Sequence, residues 1–405
     1  MLHLTLFLIA FSFGTFVHGE EVSEQSQSAA AKANSEFALD LLKKLSSDGK
    51  NVFFSPMSIS AAVAMTSLGA RGTTLCEIDQ AFHFNEVKNT TNDPMVVHEV
   101  FKQIITRYYQ QNSNYSLSIA NRLYGQEGFE IKAQFLRDTE EYYKASLQLL
   151  NFGNGEAEEI INAWVANQTH DKIKNLFKPN SLSADTVLAL VNAIYFKGNW
   201  ESKFDKSNTE EADFHVSENE VKKVQMMSQT KKFPYYEDTA LNVQVLEMPY
   251  SGDDLSMIVI LPQLGQLQQL ITQLDAAKLG ELISNLRTRK VHVKFPKFKL
   301  ETDYSLKETL QQMGINDLFS NRANLHRISK AINMKLGTIK HAAAIQADEE
   351  GITASGASGT EIIGFDLPFP PRNFTANRPL LFIVFHDKTK FLPFMGAFLK
   401  APTDF

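Results

Sequence analysis

One cysteine, Cys76, stands in 405 residues, so neither a disulfide framework nor a multi-thiolate metal site can be built within the chain. Glycine (20) and proline (13) are sparse and no stretch is dominated by either, which excludes collagen-like and low-complexity classes. An excess of basic residues is missing too. Lys plus Arg number 40 against 46 Asp plus Glu, a net charge of −6, which argues against nucleic acid as the main partner. No apolar run beyond the N-terminus is long enough to span a bilayer, so no membrane partner is expected. A single unpaired thiol is expected to be buried as a small hydrophobe. What remains, 43% hydrophobic and 21% charged with 30 Phe, is the balance of a globular protein with an ample core.

Residues Leu2 to Val17 form an apolar run closed by His18 and Gly19 ahead of Glu20 and Glu21. The run is shorter than the ~20 residues of a membrane span, and small residues stand where a signal peptidase cuts. Residues 1–19 are therefore expected to be a signal peptide and the mature chain, 20–405, to be secreted and extracellular. In that setting four triplets, beginning at Asn89, Asn114, Asn167 and Asn373, become candidate glycosylation sites.

Helical spacing is read at Ala29 to Leu45, from Ser55-Pro56 to Gly69, and at Thr74 to Phe82, Val96 to Gln110, Ala133 to Tyr143, Ala157 to His170, Leu264 to Leu274, Ala276 to Leu286 and Leu306 to Met313. Val52 to Phe54 reads as a short strand. Val187 to Phe196 is apolar on both faces, as a central strand covered on each side should be. Val291 to Leu300 alternates, and Leu255 to Leu261, Leu380 to His386 and Phe391 to Phe398 complete a strand-rich second half. With no internal repeat and no linker, the pattern predicts one large α+β domain with extensive sheet.

No common catalytic constellation is present. There is no Gly-x-Ser-x-Gly elbow and no phosphate-binding loop, and His98-Glu99 lacks a second His at helical spacing; no enzyme activity, cofactor or metal site is expected. The unusual stretch is Asp348 to Thr375, which runs from acidic to small to apolar residues with neither helical nor strand periodicity. A long loop of that kind inside a compact chain is a candidate for function.

Several separated stretches stand out: Asn51-Val52-Phe53-Phe54-Ser55-Pro56-Met57-Ser58-Ile59 leading to Leu68-Gly69-Ala70-Arg71-Gly72-Thr73-Thr74; Val191-Asn192-Ala193-Ile194-Tyr195-Phe196-Lys197-Gly198-Asn199-Trp200; Asp348-Glu349-Glu350-Gly351; Asn377-Arg378-Pro379; and Phe394-Met395-Gly396. In this order they resemble the motifs of the serpin family. The resemblance implies a single α+β domain with three β-sheets, about nine helices and an exposed reactive-centre loop at about 349–375. It also implies a mechanism. A protease attacks the loop and forms an acyl-enzyme, and the cleaved loop then inserts into the main sheet and distorts the protease before hydrolysis.

Within that resemblance Glu349, Gly351, Ile352, Thr353 and Ala354 form the loop hinge. Insertion asks for uncharged residues on the inward face of the new strand, and Ile352, Ala354, Gly356, Ser358 and Thr360 carry no charge. Ile352 departs from the Thr or Ser usual there, and its bulk could cost on the order of 1–3 kcal/mol in a tight sheet. In the family's inhibitors the attacked residue usually stands sixteen positions beyond the hinge Glu, so the resemblance implies Phe365-Asp366 as the reactive bond. The implied target is a chymotrypsin-like protease such as chymotrypsin, cathepsin G or chymase, with Leu367, or Arg372 for a trypsin-like enzyme, as the out-of-register alternatives.

Ser55, Ser58, Asn192 and His341 match the region where the central strands part. Lys297 matches the partner of Glu349, and Trp200 the tryptophan where insertion begins. A glycosaminoglycan cofactor has weak support, since Lys102 and Arg107 are the only cations on the helix concerned; a denser basic set, Arg287 to Lys299, reads as a solvated face. The chain is expected to act as a monomer. The alternative reading is a carrier or chaperone of the same fold that never inserts its loop.

Overall fold

The computed structural model describes residues 22–108, 115–183, 185–252, 254–331, 334–350 and 370–401. The expected signal peptide 1–19, the hinge residues Gly351, Ile352, Thr353 and Ala354, the reactive bond Phe365-Asp366, Leu367 and Asn114 lie outside the described residues.

Ten α-helices are described: α1 Glu24–Leu45, α2 Pro56–Ser67, α3 Gly72–Ala81, α4 Phe84–Lys88, α5 Val96–Tyr108, α6 Ala133–Tyr143, α7 Ala157–Gln168, α8 Leu267–Gln273, α9 Ala276–Ser284 and α10 Lys307–Gln312. Helix α1 begins earlier than its apolar spacing predicts because Ser23 caps it, its hydroxyl accepting from the Ser26 N–H at 3.1 Å. Helix α2 starts on the same device. Ser55 is its N-cap and Pro56 takes the first helical position, where no N–H is needed.

The strands are β1 Val52–Phe54, β2 Tyr115–Gln126, β3 Leu147–Leu150, β4 Leu188–Gly198, β5 Glu210–His215, β6 Val221–Asp238, β7 Val243–Pro249, β8 Leu255–Pro262, β9 Arg287–Pro296, β10 Phe298–Ser305, β11 Leu336–Ala347, β12 Arg372–Thr375, β13 Leu380–His386 and β14 Phe394–Phe398. A five-stranded sheet runs β10-β11-β4-β2-β3, and a nine-stranded network runs β1-β14-β13-β8-β7-β6-β9-β12 with β5 on β6. The 18-residue β6 pairs with β9 over Met226–Tyr235 and with β7 only from Tyr235 onward. It thereby joins two groups of strands that a three-sheet description counts separately.

Strand β4 is buried along nearly its whole length, as its two-faced apolar pattern predicts. The alternating run Val291 to Leu300 is not one strand. Pro296, which has no N–H for a ladder, ends β9 in the larger network; Lys297 forms the corner, its N–H donating to the Gln225 carbonyl at 2.8 Å, and Phe298 opens β10 in the other sheet. A second expectation also needs correcting. Cys76 is exposed on α3, not buried, because the helix turns Thr74 and Ile78 inward and leaves position 76 on its outer side.

The core lies between the sheets and under α2, every residue of which is buried. A helix apolar all round is stable only with structure on every side. Its N-terminus meets β4 and β2, and that meeting point organises the site.

Candidate functional site at the centre of the sheet

Strands β4 and β11 lie side by side and parallel, in continuous register from Thr338 opposite Ala189 to Ile345 opposite Phe196. Their outer neighbours are antiparallel: β10 on β11 and β2 on β4. The register places Tyr304, His341, Asn192 and Asn121 opposite one another on four successive strands. Ser55 and Ser58, at the start of α2, close the row.

The hydrogen bonds run in one direction. The Ser55 N–H donates to Nε2 of His341 at 3.1 Å, so the ring carries its proton on Nδ1 and donates it to Oδ1 of Asn192. The Asn192 amide donates to the Ser58 hydroxyl and to Oδ1 of Asn121. Ser58 Oγ donates to the same Asn121 oxygen at 3.3 Å. The Ser55 hydroxyl accepts from the Ser58 N–H at 3.1 Å and donates to the Pro393 carbonyl at 2.6 Å, tying α2 to the start of β14.

Ser55, Ser58, Asn192 and His341 are buried. Burial pushes the His341 pKa down to about 3, so the ring is neutral at any ordinary pH. The Tyr304 ring stacks on it with centroids 6.4 Å apart and planes within 8°. Parting β4 from β11 must break the bond from His341 to Asn192 together with the parallel ladder.

At the end of β11 that faces the loop, side chains take over from the ladder. The Trp200 indole N–H donates to the Asp348 carbonyl at 2.8 Å, while its ring stacks on Tyr250 at 4.6 Å and 10°. Glu349, only 5% exposed, pairs with Lys297 Nζ at 2.8 Å and accepts from the Thr209 hydroxyl at 2.9 Å. Its carbonyl accepts from the Phe204 N–H at 3.0 Å. Burial opposes ionisation of Glu349, but the hydrogen bonds from Lys297, its own backbone and Thr209 outweigh it and hold the carboxyl below its usual range. Lys197 reaches Asp348 at 3.4 Å, and Lys206 pairs with Glu350.

The structure thus brings the sequence-derived set together in two clusters: Ser55, Ser58, Asn192 and His341 at mid-sheet, and Trp200, Lys297 and Glu349 at its loop end. Asn121, Tyr304, Thr209 and Phe204 complete them, and none is singled out by the sequence. Asn89, Asn167 and Asn373 are exposed.

The chain matches a family model described as Serpin (serine protease inhibitor) over residues 32–401. It is 36% identical over 383 residues to "Serpin B4" of Homo sapiens, covering 91% of this chain and 98% of that protein. It is 38% identical over 380 residues to "Leukocyte elastase inhibitor" of Homo sapiens, with the same coverage. Among solved structures, uncleaved ovalbumin superposes with a TM-score of 0.83 at 32% identity, covering 92% of this chain and 100% of that one. The chain belongs to the serpin family.

Proposed function

We propose that the chain is a secreted, monomeric suicide inhibitor of a chymotrypsin-like serine protease, with Phe365-Asp366 as its reactive bond, and that it has no catalytic activity of its own. One observation carries the reading: β4 and β11 run parallel at the centre of a sheet whose neighbouring ladders on either side are antiparallel. Chain leaving β11 at Glu350 and turning back on itself would run opposite to both. Inserting it would replace one parallel ladder by two antiparallel ones, the slightly more stable arrangement, and add a fully paired strand. Cleavage would release the far end of the loop, now tied through residue 371 to β12 on the other sheet.

Phe365 would fill a deep apolar specificity pocket, and the names of the elastase-inhibitor relatives agree with a target in the chymotrypsin class. Ile352 would slow insertion more than forbid it, since a β-branched residue suits a strand. Glycosaminoglycan is not required in this reading: Lys294, Lys297 and Lys299 are each paired with a carboxylate, as is Lys102. Secretion and glycosylation at Asn89, Asn114, Asn167 and Asn373 rest on the N-terminal apolar run and the triplets alone. Secretion into culture medium of a chain beginning at Glu20 is the expected result, and retention inside the cell would remove both.

The test is incubation of the mature chain with chymotrypsin, a denaturing gel, and N-terminal sequencing of the released peptide. An SDS-resistant adduct and a peptide beginning at Asp366 are expected. Stoichiometric trapping of trypsin, with chymotrypsin merely degrading the chain, would overturn the Phe365 assignment.

A second reading, a carrier of the same fold, draws on a groove of about 970 Å³ between α1, α9 and the turn after β13, lined by Ala31, Leu279, Ile283, Phe385 and Leu392. It predicts cleavage without an adduct.

A further inference from the structure

On the outer face of α1, Lys32, Glu36 and Asp40 recur every four residues and therefore form one stripe. That stripe faces His83, the residue before α4, and Glu86 in its first turn. Beneath it Phe37 and Phe82, the chain neighbours of Glu36 and His83, stack with centroids 4.2 Å apart and are fully buried, fixing the two backbones against each other.

His83 Nε2 lies 3.1 Å from Asp40 Oδ2. That bond places a proton on Nε2, and the other ring nitrogen, Nδ1, lies 3.4 Å from Glu36 Oε2. Oε2 of Glu36 is itself out of contact with solvent and has no hydrogen-bond partner. The two atoms are placed for a shared cation, either the proton of an imidazolium or a metal ion that displaces it. The separation is that of two ligands on a tetrahedral ion: at metal–ligand distances of about 2.0–2.1 Å the tetrahedral edge is about 3.4 Å.

One atom each from Glu36, His83 and Glu86 lie within 4.8 Å of one another. The cation now serving the two glutamates is the Lys32 ammonium, 2.7 Å from Glu86 and 3.4 Å from Glu36. Its side chain is 57% exposed and can swing into solvent. With Asp40 behind the imidazole, three carboxylates gather around the Lys32 ammonium and the His83 ring, a donor-rich set that suits a divalent ion.

We propose that Glu36, His83 and Glu86 form a zinc site that clamps α1 to α4. His83 Nδ1 and one oxygen from each glutamate are the ligands, water fills the fourth position, and Lys32 is the displaced competitor. Asp40 orients the imidazole through Nε2–H, as outer-shell carboxylates do at histidine-ligated zinc. Imidazole with carboxylates suits zinc better than calcium or magnesium, which favour all-oxygen shells.

The test is isothermal titration of Zn²⁺ into the mature full-length chain in a non-chelating buffer, with far-UV circular dichroism of each variant to establish folding. One saturable equivalent is expected. His83→Asn, which keeps a residue tolerant of the left-handed φ of 57° at that position, should abolish binding, and Glu86→Gln should weaken it at least tenfold. Asp40→Asn should weaken it about 10–100-fold. Lys32→Met should tighten it, an outcome that adventitious binding to surface histidines does not produce. Absence of saturable binding up to about 100 µM zinc, or an isotherm unchanged in folded His83→Asn, would overturn the proposal.

Discussion

Replacing His341 by Ala removes a side chain that joins the start of α2 to β4 and β11. The Ser55 N–H and Asn192 Oδ1 would lose their partner while buried, at about 1–3 kcal/mol each, a large share of a total stability of about 5–15 kcal/mol. The sharper readout is pH. His341 stays neutral in the fold down to about pH 3, whereas in the unfolded chain it protonates near 6.5. Between those values the unfolded state binds more protons, so stability falls as pH falls. At pH 5 the loss from this ring is about 2 kcal/mol, from about 1.5 pH units at 1.36 kcal/mol each. His98, pushed to about 3 by burial and by Lys88, and His386, pushed to about 4 mainly by burial, act with the same sign and remain in both proteins. Denaturant unfolding followed by near-UV circular dichroism, at pH 7 and pH 5, should show wild type losing about 2 kcal/mol more than His341→Ala. Equal losses in the two proteins would refute the neutral, network-bound ring.

Glu349→Lys sets two ammonium groups facing each other where a buried carboxylate met Lys297. It should produce loop–sheet polymers on size-exclusion chromatography, with partial rescue by adding Lys297→Glu; a monomeric single variant would deny the hinge role of the pair. Since hydrogen bonding holds the Glu349 carboxyl below its usual range, its stabilising contribution is complete above the unfolded carboxylate pKa and disappears as pH drops through the lower folded value. Trp200→Phe deletes the bond to the Asp348 carbonyl and should lower stability by about 1–3 kcal/mol in a thermal melt; an unchanged melt would show that the indole N–H does not anchor the end of β11. Cys76, exposed on α3, should react with Ellman's reagent to one equivalent in the native state, and silence until denaturant is added would contradict its placement.

The parts of the fold visible in the sequence are those whose burial is written locally. β4 is apolar on both faces, β13 is a continuous apolar run, and α6 has an amphipathic spacing that matches its observed bounds. β11 was not legible. Its centre, Ala342-Ala343-Ala344, has the propensity of a helix, and only its pairing with β4 and β10, far away in the chain, makes it a strand. Asn121 was missed for a related reason: β2 is half-buried along much of its length, and the residue matters only because the register sets it opposite Asn192. Serpin motifs located Ser55, Asn192 and Glu349 but carried no geometry. The Glu36, His83 and Glu86 cluster has no motif at all, because α1 and α4, distant in the chain, must pack before its ligands converge.

The claim on which the rest depends is that the loop can enter the sheet between β4 and β11. Nicking the mature chain once within 351–369, repurifying it and comparing its melting temperature with the intact protein tests this without reference to any target protease. Insertion predicts a sharp rise on cleavage, since an added strand is paired on both edges. An unchanged or lowered melting temperature in the nicked protein, with both fragments retained, would contradict it.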